Sequence, residues 1–334
     1  MKFAVMGAGS WGTTLANLLA NNGYEVALWA REPEVVDSIR QNNRNPYFVT
    51  HLNTNPAMLA TNDPECALKN ADIAVLAIPS SYLQKTLQEF KSSLCRISGI
   101  VNVAKGFDLE QGRSLSQLIC DELSLTPGQD RVAVLSGPNL AEEVSRQKLG
   151  ASVIGCTNES LSATLQKAFS TPYFRVYRHS DRMGVELGGT LKNIFAIGAG
   201  ISTGLELGDN AKAAYLTRSL AEMVRLGTKL GGIQSTFYGL SGLGDLMATS
   251  FSPLSRNHRL GRELARGTTW TNFSQGQRMV FEGVEAARMA RDWGKKLTIS
   301  LPISEEICKI LFEDISSSEA ARNLMTRSLK AEGE

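Results

Sequence analysis

At 334 residues the chain is too long for one small hydrophobic core and suits two domains. It is 43% hydrophobic and 20% charged, and 35 basic against 33 acidic residues leave a net charge of only +2, with no basic block for nucleic acid or an anionic membrane surface. Five cysteines (Cys66, Cys95, Cys120, Cys156 and Cys308) are odd in number, far apart and without a C-x-x-C pair, which argues against a disulfide framework or a zinc site and for reduced thiols in a cytoplasmic compartment.

No apolar run approaches the roughly 18 residues of a membrane span. The start, MKFAVMGAGSWG, has an apolar run, but Gly7, Gly9 and Gly12 break it and no cleavage site follows, so it does not read as a signal peptide. FAVMG predicts a strand, SWGTTLANLLANNG a helix closed by Gly23, and EVALWA a second strand. ADIAVLAI, GIVNVA and RVAVLSG follow with helical stretches such as SYLQKTLQEF between them, then ASVIGC and YFRVYR. Continuous apolar strands separated by helices predict a parallel sheet covered on both faces. Beyond about residue 184 the alternation stops, and VELGGTLKNIFAIGAGI, AKAAYLTRSLAEMVRLGTKLG, SRNHRLGRELARG, EGVEAARMARDWGKK and PISEEICKILFED all read as helices. The prediction is a doubly wound α/β domain over residues 1–183 and an all-helical domain over 184–334.

The first strand runs into VMGAGSWGTTLA, where Gly7, Gly9 and Gly12 have G-x-G-x-x-G spacing between strand and helix. That context makes the sheet Rossmann-type. The glycines serve the tight turn, the approach of a pyrophosphate and close helix–strand packing, and the phosphates would sit at the helix start by Ser10 and Trp11. Trp11 could equally pack beneath the loop. An acidic residue for the ribose hydroxyls is usual at the end of the second strand. Here LWARE has Ala30 and Arg31, with Glu32 just beyond. A guanidinium can grip a 2′-phosphate, so the reading leans to NADP(H) with NAD(H) tolerated; the alternative is a solvated surface arginine.

In the second domain, GGTLKNIFAIGAG is patterned like a buried helix yet carries Lys192. Gly188, Gly189 and Lys192 share one helix face. Seven glycines from Gly184 to Gly208 cost about 1 kcal/mol each against alanine, which makes sense only where a ligand or another backbone must come close. A partly buried lysine there could donate a proton to a carbonyl oxygen whose carbon accepts hydride, or could simply snorkel at a domain boundary. His51, His179 and His258 are scattered with no carboxylate at telling spacing, which disfavours histidine chemistry. The carboxylates of AEEV read as a solvated helix face.

GVELGGTLKNIFAIGAGISTGLELGDNAKAAYLTRSLAEM, GLSGLGDLMATSFSPLSRNHRLG and VMGAGSWGTTLA together resemble the bacterial NAD(P)-dependent type of glycerol-3-phosphate dehydrogenase over essentially the whole chain. The resemblance implies reversible reduction of dihydroxyacetone phosphate to sn-glycerol 3-phosphate for phospholipid synthesis, by a cytoplasmic homodimer. It makes Lys192 the proton-transferring residue with Asn193 beside it, and Asp245 of GLGDL, with Thr249 one turn on, the group that orients Lys192. Lys105 of VAKGFD falls near substrate and nicotinamide, and Gly137, Asn139 and Ala141 of SGPNLAEEV beside substrate and cofactor. Ser255, Arg256 and Asn257 of SRNHRLG would take the substrate phosphate at a helix start, Arg256 also touching cofactor, and Val280 and Glu282 of MVFEGV would be cofactor contacts. Thr203, where an acid is more usual, and Ser250, where cysteine is expected, depart from the pattern at positions without a proton-transfer role. A related two-domain β-hydroxyacid dehydrogenase would share the first domain and a helix lysine but not SRNHRLG or GLSGLGD. A dinucleotide sensor without turnover would have no use for Lys105, Lys192 and Asp245 together.

Overall fold

Lys2–Met6 forms the first strand, β1, inside an eight-stranded sheet of the computed structural model, which describes residues 1–126, 130–275, 281–329 and 331–332. The strands that follow are β2 (Glu25–Trp29), β3 (Leu59–Thr61), β4 (Ile73–Leu76) and β5 (Gly99–Asn102). Then come a separate antiparallel pair, β6 (Phe107–Asp108) with β7 (Arg113–Ser114), and β8 (Val132–Ser136), β9 (Gly150–Gly155) and β10 (Phe174–His179). The order across the large sheet is β10-β9-β8-β5-β4-β1-β2-β3. Phe3, Val5 and Leu28 pack into one buried cluster, while Ala4, Met6 and Ala27 pack into another on the opposite face. Both faces are covered, which is why these strands read as unbroken apolar runs. β3 escaped the sequence reading because three residues carry too little pattern.

The sheet is not wholly parallel, contrary to the sequence expectation. β9 pairs with β8 antiparallel, and β10 runs parallel to β9. The link between β8 and β9 contains one short helix, Ala141–Ser145. At about 1.5 Å per residue it covers under half the length of a strand rising about 3.3 Å per residue, so it cannot carry the chain back along the sheet for a parallel crossover.

β1 lies between β2 and β4, the point where the winding reverses. Ligands of such sheets bind at the carboxyl ends of the strands flanking that point.

The sheet ends at His179, and from Arg182 the large elements are helices. The helix Arg182–Gly204 is buried continuously from Gly184 to Ser202 and starts on Asp181, whose carboxylate caps Gly184 N–H and also accepts from Ile233 N–H and Thr236 Oγ1. The helices Gly208–Lys229, Asp245–Phe251, Arg256–Ala265 and Glu282–Leu297 pack around it. Two of its glycines show how close this packing is. A Cβ on Gly200 would lie 2.1 Å from the His258 carbonyl oxygen, and one on Gly198 would lie 2.0 Å from the Tyr215 hydroxyl. The close neighbour is protein rather than ligand at both positions. Among the described residues no helix is long and apolar enough to cross a membrane.

Candidate active site

The glycine loop leaves β1 at the reversal point. Gly7 has φ +112°, a conformation that favours glycine, and a Cβ there would lie 2.5 Å from the Ala77 carbonyl oxygen. A Cβ on Gly12 would strike the Gly7 carbonyl at 1.9 Å, so the third glycine lets the helix Ser10–Asn21 close on the turn. Gly9 faces open space and ends the loop as the helix N-cap without a side-chain cap and without an acidic residue in the first turn. An uncapped, amide-rich helix start beside open space fits a dinucleotide pyrophosphate. Ser10 opens that helix. The Trp11 ring packs edge-on to Phe174, at 6.1 Å between centroids, and so helps seat the loop on the sheet. Arg31 follows β2 on the surface, where its guanidinium is held by the neighbouring Glu32 carboxylate at 2.7 Å.

The carboxyl edges of β5 and β8 bring in the next residues. Lys105 follows β5; Gly137 and Asn139 follow β8, and Ala141 opens the short helix after them. The Lys105 ammonium donates to Asp245 Oδ2 at 2.6 Å, to Asn139 Oδ1 at 3.1 Å and to the Gly137 carbonyl at 3.4 Å. Lys192 lies 3.0 Å from the other carboxylate oxygen of Asp245 and donates to Thr249 Oγ1, which itself donates to Asp245 Oδ1. One carboxylate therefore bridges two ammonium groups, one from each part of the chain.

Asp245 reaches that place through a π-helical turn, Leu240–Gly244, leading into the helix Asp245–Phe251. The turn lies backbone to backbone on the long helix: a Cβ on Gly188 would come 3.1 Å from the Gly242 nitrogen. Gly189, a turn before Lys192, lies against the Ser136 side chain at the end of β8, with the Lys105 Cε 3.8 Å from where a Cβ would stand.

Charge balance in this triad is set by burial. Asp245 and Lys192 are 3% and 6% exposed at the side chain, against 18% for Lys105. Burial pushes Lys192 down to about 8; Asp245 opposes that shift and the like charge of Lys105 adds to it. Burial alone would raise the Asp245 carboxyl, but the two lysines outweigh it and hold the group below its ordinary value. The result is a carboxylate kept charged by two lysines, holding one of them poised to exchange a proton near neutral pH.

A set of buried polar side chains continues from Lys192. Asn193 Oδ1 accepts from Asn257 Nδ2 at 2.9 Å, while Asn139 Nδ2, Asn193 Nδ2 and Asn257 Oδ1 have hydrogen-bonding capacity left over. Ser255 caps the helix Arg256–Ala265, its hydroxyl accepting from His258 N–H. Arg256 opens that helix, with Nη2 3.6 Å from Glu282 Oε1 at the start of Glu282–Leu297. Val280 lies outside the described residues. His258 is buried, and burial beside Lys212 and Arg262 pushes it down to about 4, which suits a neutral ring against Thr203 Oγ1. Thr203 also accepts from Lys212, and the buried Ser250 hydroxyl has no partner among the described residues. His51 does have a carboxylate partner, which its spacing did not show. Its Nε2 meets Ser145 Oγ at 2.9 Å and its Nδ1 lies 3.4 Å from Glu142, 91 positions on in the chain.

The whole chain has close counterparts. The profile of the NAD-dependent glycerol-3-phosphate dehydrogenase N-terminus matches residues 2–162, and that of the same family's C-terminus matches residues 181–322. Glycerol-3-phosphate dehydrogenases [NAD(P)+] of Maridesulfovibrio salexigens and Citrifermentans bemidjiense are each 43% identical over 99% of this chain, covering 100% and 99% of those proteins. The crystal structure of glycerol-3-phosphate dehydrogenase from Coxiella burnetii superimposes with a TM-score of 0.90 at 34% identity, over 98% of this chain and 99% of that one. Two lysines sharing one buried aspartate, a glycine loop at the sheet's reversal point and full-length similarity of this order place the chain in the NAD-dependent glycerol-3-phosphate dehydrogenase family.

Proposed function

We propose that the chain catalyses the reversible NAD(P)H-dependent reduction of dihydroxyacetone phosphate to sn-glycerol 3-phosphate. The observation that carries this reading is the bridge Lys105–Asp245–Lys192. A ketone being reduced needs a proton at its oxygen, and Lys192 is held where it can give one. Asp245 keeps that lysine charged and aimed, and Lys105 adds a fixed positive charge where alkoxide character develops. When bound, the dinucleotide supplies the hydride. Residues 1–183 would hold the cofactor through Gly7, Gly9, Ser10, Gly12 and Arg31, with Lys105 near its nicotinamide and Ala141, Arg256 and Glu282 as further contacts. Residues 184–334, with Gly137, Asn139 and Lys105, would hold the substrate. NAD(P)H oxidation driven by dihydroxyacetone phosphate tests the whole reading; a protein that binds cofactor but shows no such oxidation overturns it. The same proposal has the product feeding phospholipid synthesis, in the cytoplasm, through a homodimer, the last checked by sedimentation.

Arg256 separates this reading from a β-hydroxyacid dehydrogenase, which has no phosphate to hold. Arg256→Ala is expected to cost about 2–4 kcal/mol in kcat/KM for dihydroxyacetone phosphate, the loss of a charge-assisted fork, with a smaller effect on cofactor affinity. Unchanged substrate kinetics would take Arg256 out of the phosphate site.

Cofactor choice rests on Arg31, which is exposed enough to exchange Glu32 for a 2′-phosphate. Arg31→Asp should weaken NADPH far more than NADH, because it removes a fork and sets a like charge against the phosphate. Titration of both cofactors by fluorescence checks this; equal losses would mean that Arg31 only supports the loop.

A further inference from the structure

The long helix that carries Lys192 also holds the segment that bears Lys105, through a backbone N–H just after that lysine and a side chain just before it. At Thr14, Thr86, Thr164, Thr217 and Thr228 a helical threonine turns its hydroxyl back on the carbonyl four residues earlier. Thr190 does something else: its Oγ1 accepts the Gly106 N–H at 3.2 Å, across 84 positions of sequence. Thr190 is fully buried. One turn earlier, the buried carboxylate of Glu186 accepts from the backbone N–H of Ser116 at 2.9 Å and from its hydroxyl. It also lies 3.5 Å from Asn102 Nδ2. Asn102 folds the segment leading to Lys105, its Oδ1 accepting from Ala104 N–H at 3.1 Å and its Nδ2 donating to the Ala104 carbonyl at 3.2 Å. Burial pushes the Glu186 carboxyl up, against the Ser116 bonds, so the group stands where a carboxylate is costly.

The geometry points to Thr190 and Glu186 as positioning residues that set Lys105 against Asp245 and Lys192. This rests on the reading of those three as the reacting group. Residues 186, 190 and 192 belong to one rigid helix, so the spacing between the two lysines is fixed by its register rather than by the loop that bears Lys105. A misplacement of about 1 Å can cost as much as 10²-fold in rate.

The test uses Thr190→Val, which keeps shape and β-branching but removes the acceptor, Thr190→Ser, which restores it, and Glu186→Gln. Thr190→Val and Glu186→Gln should each lower kcat for dihydroxyacetone phosphate reduction by roughly 10–100-fold, with KM for the cofactor little changed. Thr190→Ser should recover most of the rate. A second readout needs no turnover: NMR titration of the Lys192 amine in ligand-free protein, assigned against Lys192→Met. If Lys105 drifts from Asp245, Lys192 loses a like-charged neighbour and gains a larger share of the carboxylate, so its midpoint should rise. A purely structural role would lower melting temperature and leave that midpoint in place. Wild-type rate and an unmoved midpoint in Thr190→Val and Glu186→Gln overturn the inference; if one variant fails to fold, the other decides. Absence of wild-type activity on dihydroxyacetone phosphate would instead overturn the proposed function, while the midpoint still tests the positioning.

Discussion

Lys192→Met is expected to lower turnover by at least about two orders of magnitude, since positioned proton transfer contributes roughly 10²–10⁴-fold. The fold should survive. Asp245 keeps Lys105 at 2.6 Å and Thr249 Oγ1 at 3.0 Å, so the substitution leaves no bare carboxylate in the interior. Dinucleotide binding should persist, because the glycine loop lies on the sheet, away from the long helix. Lys192→Arg should not restore the rate, as a guanidinium does not release its proton near neutral pH. The pH profile supplies a second reading. With Lys192 near 8, reduction, which needs the ammonium, should decline above that pH, and glycerol phosphate oxidation, which needs the free amine, should rise through it. The sign for stability follows separately. Between about pH 8 and 10.5 the unfolded chain holds a proton that folded Lys192 has shed, so this group's contribution to stability increases with pH across that window. Steady-state rates, thermal melting and cofactor titration on the same proteins check all of this. A Lys192→Met protein that melts early and turns over normally would make the lysine structural.

Asp245→Asn should be as damaging by a different route. It leaves the buried Lys192 ammonium and the half-buried Lys105 without their shared counter-charge, and breaking a buried pair from one side costs about 3–5 kcal/mol. Lys192 then has burial and Lys105 pushing it down with only Glu282 opposing, so it should be largely neutral at pH 7. The alkaline limb of reduction should move to lower pH, and kcat at neutral pH should fall about as far as in Lys192→Met. Acid stability moves the other way. Asp245 is held below its ordinary value, so in the wild type its contribution is present above the unfolded pKa and is lost as pH falls through the folded one. The Asp245→Asn protein lacks that contribution and should show a flatter acid limb in its melting temperature. An unshifted rate profile would show that Asp245 does not control Lys192.

Much of this was legible in residue order, because it depends on local pattern. Continuous apolar runs such as FAVM predict strands covered on both faces, and the glycines of VMGAGSWG predict a tight turn between strand and helix. The cap at Ser255 also follows from a neighbour three positions away.

Long-range geometry was decided only by the fold. β9 turns antiparallel because a five-residue helix cannot span the sheet, a matter of length in space rather than propensity. The glycines of the long helix read as room for a ligand or another backbone, and at Gly200 the fold supplies the backbone, the His258 carbonyl of a neighbouring helix. His51 finds Glu142, and Thr190 finds Gly106, across gaps that no periodicity marks. Sequence by itself determined that a lysine stands in an apolar helix after a dinucleotide-binding half. Only the tertiary structure put Asp245 between it and Lys105, and with that the charge balance that sets its proton, because a pKa depends on burial and on charges a few ångströms away, whatever their distance along the chain.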